Sequence, residues 1–101
     1  MRNAVLIDDA DNVVVAIEPI SAGSPVAYVN RKGESFELVA ADDVPLYHKV
    51  ARRPIAKGEA VVKYGEYIGL TTQDIVSGAH VHTHNCMSTD GLRAAEEVDH
   101  D

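Results

Sequence analysis

One pattern recurs three times in this chain and limits what it can fold into. Ile20-x-x-Gly23-x-x-Val26 is followed by Ile55-x-x-Gly58-x-x-Val61 and by Ile75-x-x-Gly78-x-x-Val81. Each copy reads as a turn module. The isoleucine anchors in a core, the glycine supplies the positive φ of a tight turn, and the valine re-enters a sheet. Pro19 and Pro54 precede the first two isoleucines, and Val15-Ala16 corresponds to Val50-Ala51, so the similarity extends upstream of the turns. Two or three related β-units around one core predict a compact, pseudo-symmetric all-β domain, not a solenoid.

The segments between the turns agree. Residues 4–7 are a short apolar run ended by the turn-rich residues 8–12, and residues 13–17 form a continuous β-branched stretch suited to a buried strand. Residues 26–29, 47–51 and 60–64 read as strands, residues 35–39 as a half-buried strand with alternating polarity, and residues 30–33 and 42–45 as turn and loop. Helical periodicity is weak. The one expected turn of helix lies at residues 71–75, with Thr72 as its cap. Composition changes after Asn85, so the domain is expected to span residues 1–86. Residues 87–101 are expected to form a flexible acidic tail with transient helix at 92–97.

With 101 residues and 46 % hydrophobic content the chain makes one domain, and its 5 % aromatic content leaves aliphatic side chains to fill the core. The net charge of -7 argues against nucleic acid, whose binding needs clustered Lys and Arg. Cys86 is the one cysteine, so no intrachain disulfide forms, and a free, reduced thiol is expected. No apolar run reaches the length of a membrane span, and the first residues lack a signal-peptide pattern, so the expected location is the cytoplasm.

Three of the five histidines, His80, His82 and His84, alternate within the third copy. On an extended strand they would share one face while Val81 and Thr83 face the other way. The third copy has His82 and His84 where the second has Val62 and Tyr64, which is what a site grafted onto a structural repeat would look like. Neutral imidazoles suit divalent iron, manganese or zinc, and they also serve as general acids and bases. Strand residues two apart are about 7 Å apart, which is long for three ligands on one ion, so two imidazoles plus a carboxylate from another chain is the easier arrangement. The plainer alternative is an exposed polar face. His48 and Lys49 are further candidates, of which a strand would turn only one toward the histidines. Lys49 and Lys63 are candidates to hold a substrate carboxylate, Tyr64 to donate a hydrogen bond, and Asn85 to orient a ligand or cap a turn. The acidic pairs Asp8-Asp9 and Asp42-Asp43 read as solvated charge.

Taken together, His48-Lys49-Val50-Ala51, then Ile55-x-x-Gly58-Glu59-x-x-x-Lys63-Tyr64-Gly65-Glu66-x-Ile68-Gly69, then Asp74-Ile75-x-x-Gly78-x-His80-Val81-His82-x-His84-Asn85, resemble the N-terminal domain of the altronate/galactarate dehydratase family. They also resemble the separate small subunit of related lyases, sulfolactate sulfo-lyase among them. The resemblance covers the chain up to Asn85 and implies a β-clip fold of the SAF type. It implies elimination chemistry on a sugar acid or related hydroxy acid such as altronate or galactarate, with a divalent metal, Fe2+ or Mn2+, held in whole or in part by a large catalytic subunit. On this reading His82, His84 and His48 act catalytically, Lys49, Lys63, Tyr64 and Asn85 bind substrate, and His80, His82 and His84 are metal candidates. The expected partners are the large subunit and the small acid; neither nucleic acid nor membrane is expected, and self-association stays open. A stand-alone ligand- or sugar-binding SAF module is the alternative.

Overall fold

The turn modules organise the fold as their sequence requires. The computed structural model describes residues 2–88. Ile20, Ile55 and Ile75 are buried at 4 %, 1 % and 3 % exposure, and Val26, Val61 and Val81 are fully buried. Gly23, Gly58 and Gly78 take φ of 86°, 85° and 87°, the left-handed region that glycine enters without steric cost.

A fourth copy was hidden in the sequence. Val44-Pro45-Leu46-Tyr47-His48-Lys49-Val50 makes the same turn, with Tyr47 at φ 67° in the glycine position. Each turn closes with the same backbone bond: Ser24 donates to Ser21, His48 to Pro45, Glu59 to Ala56 and Ala79 to Val76. The four turns dock in two pairs. Ile20 and Val44 exchange both backbone bonds, and so do Ile55 and Ile75. Within each pair the left-handed residue donates to the strand that enters the partner turn: Gly23 to Ala40, Tyr47 to Ala16, Gly58 to Thr71 and Gly78 to Ala51. Asp43 and Asp74, just ahead of Val44 and Ile75, accept from the amides of Ala22 and Lys57 across each pair. Asp43 is therefore a cross-turn cap and not merely solvated charge.

Nine short strands connect the turns among the described residues: β1 (Ala4–Val5), β2 (Val13–Ala16), β3 (Pro25–Val29), β4 (Ser35–Val39), β5 (Lys49–Ala51), β6 (Ala60–Lys63), β7 (Glu66–Thr71), β8 (His80–Val81) and β9 (Cys86–Ser88). They form a sheet ordered β1-β2-β5-β8, a β3-β4 hairpin and a sheet ordered β6-β7-β9, with all pairs antiparallel. The all-β expectation holds. Among the described residues no helix is long and apolar enough to cross a membrane.

The helical turn expected at residues 71–75 does not form. Thr71 ends β7, and its hydroxyl donates to the Ala56 and Glu59 carbonyls, while Ile75 is spent on the bridge to Ile55. β7 and β9 were not foreseen. Glu66 and Tyr67 are exposed and Gly69 interrupts the strand pattern. That glycine is there because β9 crosses it: a Cβ would lie 2.4 Å from the Met87 carbonyl oxygen. β9 also carries ordered pairing to Ser88, beyond the expected edge at residue 86. The expected tail and its transient helix otherwise fall on residues outside those described.

Neighbouring residues of the central sheet face opposite cores. Ala4, Val14, Ala16 and Val50 join Leu6, Ile20, Val26, Tyr28, Ala40 and Val44 in one cluster. Val13, Ala51 and Val81 join Ile55, Val61, Ile75 and Ala79 in the other. One thin sheet thus separates two aliphatic cores, each closed by one pair of turns.

Candidate functional site

The site lies where β5 meets β8, the edge strand of the central sheet. The register pairs Lys49 with Val81 and Val50 with His80. One step outward, this antiparallel ladder sets His48 opposite His82. His48 leaves the turn that starts at Val44, and His80 leaves the turn that starts at Ile75. Two modules distant in sequence therefore deliver their histidines to one edge.

The chain does not stay extended beyond β8. Residues 82–85 form a tight turn. Asn85, buried at 4 % exposure, builds it: its Oδ1 accepts from the His82 amide at 3.0 Å, its Nδ2 donates to the His80 carbonyl at 2.8 Å, and its own amide donates to the His82 carbonyl at 3.1 Å. The expected strand carrying three histidines on one face is thus corrected. His80 and Val81 do face opposite ways, but His82 and His84 sit on a turn. The objection from spacing falls with it, because the turn curls His82 back toward His80.

The resulting group is His48, His80 and His82, with one ring nitrogen from each lying within 4.8 Å of the others. His48 Nδ1 is 2.8 Å from His80 Nε2, so one of the two carries the bridging proton. The rings stack, with centroids 4.3 Å apart for His48–His82, 5.0 Å for His48–His80 and 5.6 Å for His80–His82. His84 stands beside this group, its ring 5.3 Å from that of His80, and is not among the three.

Burial and neighbouring groups favour the neutral form of His80 and His82. Burial lowers the His80 pKa most, followed by His48, His84 and His82, against a raising effect of Asp42. The His82 pKa is also lowered, first by loss of solvent and then by His48, Lys49 and His84. A neutral imidazole has a free lone pair for a proton or a metal. Asp42 was read as solvated charge, but its Oδ2 accepts from the His80 amide at 3.0 Å and fixes the start of β8. Its only sequence signal is an acidic residue two places ahead of a turn module, where the Ile75 copy has Gln73.

The remaining candidates divide. Lys49 is half-buried on β5, on the second-core face, and its pKa is lowered by burial and by Lys63 and raised by Cys86. Burial raises the thiol pKa of the free Cys86, partly offset by Lys49. Lys63 ends β6 and Tyr64 opens the β6–β7 turn, with the Lys63 ammonium 5.2 Å from the centroid of the Tyr64 ring. Asp11 anchors that turn by accepting from the Tyr64 and Gly65 amides at 3.1 and 2.8 Å. Tyr64 is 63 % exposed and contributes nothing to the histidine stack.

The donor set fits a divalent metal. Nitrogens on one ion with bonds near 2.1 Å stand roughly 3–4 Å apart, so a small ring movement would close the present group onto an ion. Three imidazoles, with no carboxylate grouped with them among the described residues, suit iron or zinc better than manganese, which prefers oxygen.

The fold is thus a small paired-turn β scaffold that gathers three histidines at a sheet edge. The sequence profile of the altronate/galactarate dehydratase SAF domain matches residues 2–89, and the chain belongs to that family. It is similar to (2R)-sulfolactate sulfo-lyase subunit alpha of Paracoccus pantotrophus, with 45 % identity over 60 residues covering 59 % of this chain and 90 % of that subunit. The corresponding subunit of Chromohalobacter salexigens is 36 % identical over 83 residues, covering 79 % of this chain and 88 % of that one. Altronate dehydratase of Bacillus subtilis is 38 % identical over 86 residues, covering 84 % of this chain but only 16 % of the dehydratase.

Proposed function

We propose that this chain is the small component of a two-component lyase that eliminates water or sulfite from a sugar acid or related hydroxy acid. In this reading a large catalytic chain completes the site. The observation that carries it is the convergence of His48, His80 and His82 on an open sheet edge, with no carboxylate among them. An elimination needs an acid, a base, a clamp for the substrate carboxylate and, in this family, a metal. The imidazoles supply part of that set, and the rest must approach from outside. The likeness to a sulfo-lyase subunit and to a short part of altronate dehydratases supports both the lyase reading and the division of labour.

Within this assignment His48, His80 and His82 would hold Fe2+, and the large chain would supply further ligands. The metal would supply Lewis-acid polarisation of the substrate's oxygen atoms. His84, outside the three but beside His80, is the imidazole left free to take or return a proton. Asn85 does not touch substrate; it holds the turn that sets His82 and His84 in place. Lys49 and Lys63 supply positive charge for the acid.

The test is the complex purified with its large chain and assayed on altronate, galactarate and sulfolactate. The small chain alone should be inactive. His80→Ala should lose bound iron, measured by metal analysis, and His84→Ala should keep the iron but lose turnover by 10²-fold or so, the usual scale for a general acid–base group. Full activity in a His82→Ala/His84→Ala complex would instead make this a purely structural subunit. Tight metal binding by the isolated chain, unchanged by the large chain, would favour a stand-alone binding module.

A further inference from the structure

A cleft of about 410 Å³ opens beside the histidines, on the side of the sheet that carries the second core. That volume falls within the roughly 300–1,000 Å³ range of small-molecule sites. Lys49, Thr72, Thr83 and His82 line it together with Ile68, Cys86 and Met87, and most of its wall is apolar. Among the described residues no carboxylate lines it.

The donors are held by the fold. Lys49 rises from β5, the internal strand between β2 and β8. Thr72 follows β7, and its amide donates to the Asn85 carbonyl at 2.9 Å, tying it to the turn that carries Thr83. One fixed backbone bond thus holds the two threonine-bearing segments together beside Lys49. His82 stacks on His48 and also lines the cleft, joining it to the histidine group.

We propose that this cleft is an oxyanion subsite. It takes the carboxylate or sulfonate end of a small acid, with Lys49 as charge partner, Thr72 and Thr83 as hydrogen-bond donors, and the adjoining carbon directed at the histidines. The last clause rests on the lyase reading; the anion binding does not. Carboxylate and sulfonate share the chemistry of two or three oxygens bearing one negative charge, and the threonine hydroxyls can serve either.

The test is titration of the full chain with methanesulfonate, acetate and, as a neutral control, glycerol, at constant ionic strength set with chloride, followed by amide chemical shifts. Saturable shifts at Lys49, Thr72 and Thr83 with a Kd on the order of 1–10 mM are expected for one or both anions, and none for glycerol. A methanesulfonate Kd at least threefold lower would assign the sulfonate, and the reverse would assign the carboxylate. Lys49→Met should weaken binding tenfold or more, and Thr83→Val, which keeps the side-chain shape, should weaken it about threefold. Lys57→Met, on the exposed second turn, should change nothing. Absence of saturable shifts, or equal affinity in Lys49→Met and Thr83→Val, would overturn the subsite. If the anion binds but the His84→Ala complex keeps full turnover, the lyase assignment of His84 falls while the subsite stands.

Discussion

Four residues in this chain occupy one backbone position, and their differences are a built-in experiment. Gly23, Gly58 and Gly78 meet the left-handed turn without a side chain, whereas Tyr47 meets it with a bulky one that is 71 % exposed. Left-handed backbone costs a non-glycine residue roughly 1–2 kcal/mol. Tyr47→Gly relieves that strain but adds about 0.5–1 kcal/mol of unfolded-state freedom, so the melting temperature should hold or rise slightly. Gly58→Ala adds only the strain, because nothing lies within 4 Å of its new Cβ, and should cost about 1 kcal/mol. Gly78→Ala should cost far more, since its Cβ would sit 2.1 Å from the Val39 carbonyl oxygen. Thermal melts of the three variants check the order, and equal losses for the two alanines would contradict it. The same position explains what reading the sequence missed: a search for glycine finds three turns and passes over the one that carries tyrosine and delivers His48. At His80 and His82 the lowered pKa values make a second prediction. The folded state binds fewer protons there than the unfolded state, whose histidines titrate near 6.5. Their contribution is fully present above that value and is lost as pH falls through 6.5 toward the lowered folded pKa. The metal-free chain should therefore melt at lower temperature at pH 5 than at pH 7.5. His80→Gln should flatten the dependence, and an equally steep profile in that variant would refute the assignment.

At the scale of elements, the edge formed by β8 and its turn shows how far periodicity carries. The alternation of His80, Val81 and His82 correctly opposed the valine to the imidazoles at the first step, and Val81 is buried as the repeat required. The next step failed because Asn85 reaches back to both ends of the segment, and a side chain that satisfies two backbone groups outweighs an alternating pattern. The pairing of His48 with His80 was also beyond local reading. It follows from a β5–β8 register between residues 32 apart, a tertiary fact. Asn85→Ala should leave the His82 amide and the His80 carbonyl without their partners, at roughly 1–3 kcal/mol. It should also let residues 82–85 open, so that the His82 ring leaves His48. Imidazole chemical shifts in the variant should move toward those of free histidine, and a native-like His48–His82 ring-current pattern would contradict the structural role given to Asn85.

For the whole molecule, the repeat proved the most legible feature because a turn's glycine, its anchor and its re-entry residue are all local, whereas the two-fold docking of four turns into two pairs is not written in any one of them. The consequence is an architecture in which one central sheet closes two cores. Val14 lies in the first and Val13, its neighbour on β2, in the second; Val50 and Ala51 repeat the arrangement on β5. Each core borrows the same two strands, so opening one is expected to open the other. Val26 and Val61 are fully buried at equivalent places on β3 and β6, one in each core and neither in the shared sheet. Truncating either to alanine removes two methyl groups' worth of burial and should cost roughly 1–3 kcal/mol. If the sheet couples the cores, Val26→Ala and Val61→Ala each shift a single unfolding transition. Hydrogen exchange at the slowest amides of both hairpins, β3-β4 and β6-β7, then accelerates together in either variant. Acceleration confined to the hairpin that carries the substitution would show two independently opening halves, and would leave the histidine edge tied to the second half alone.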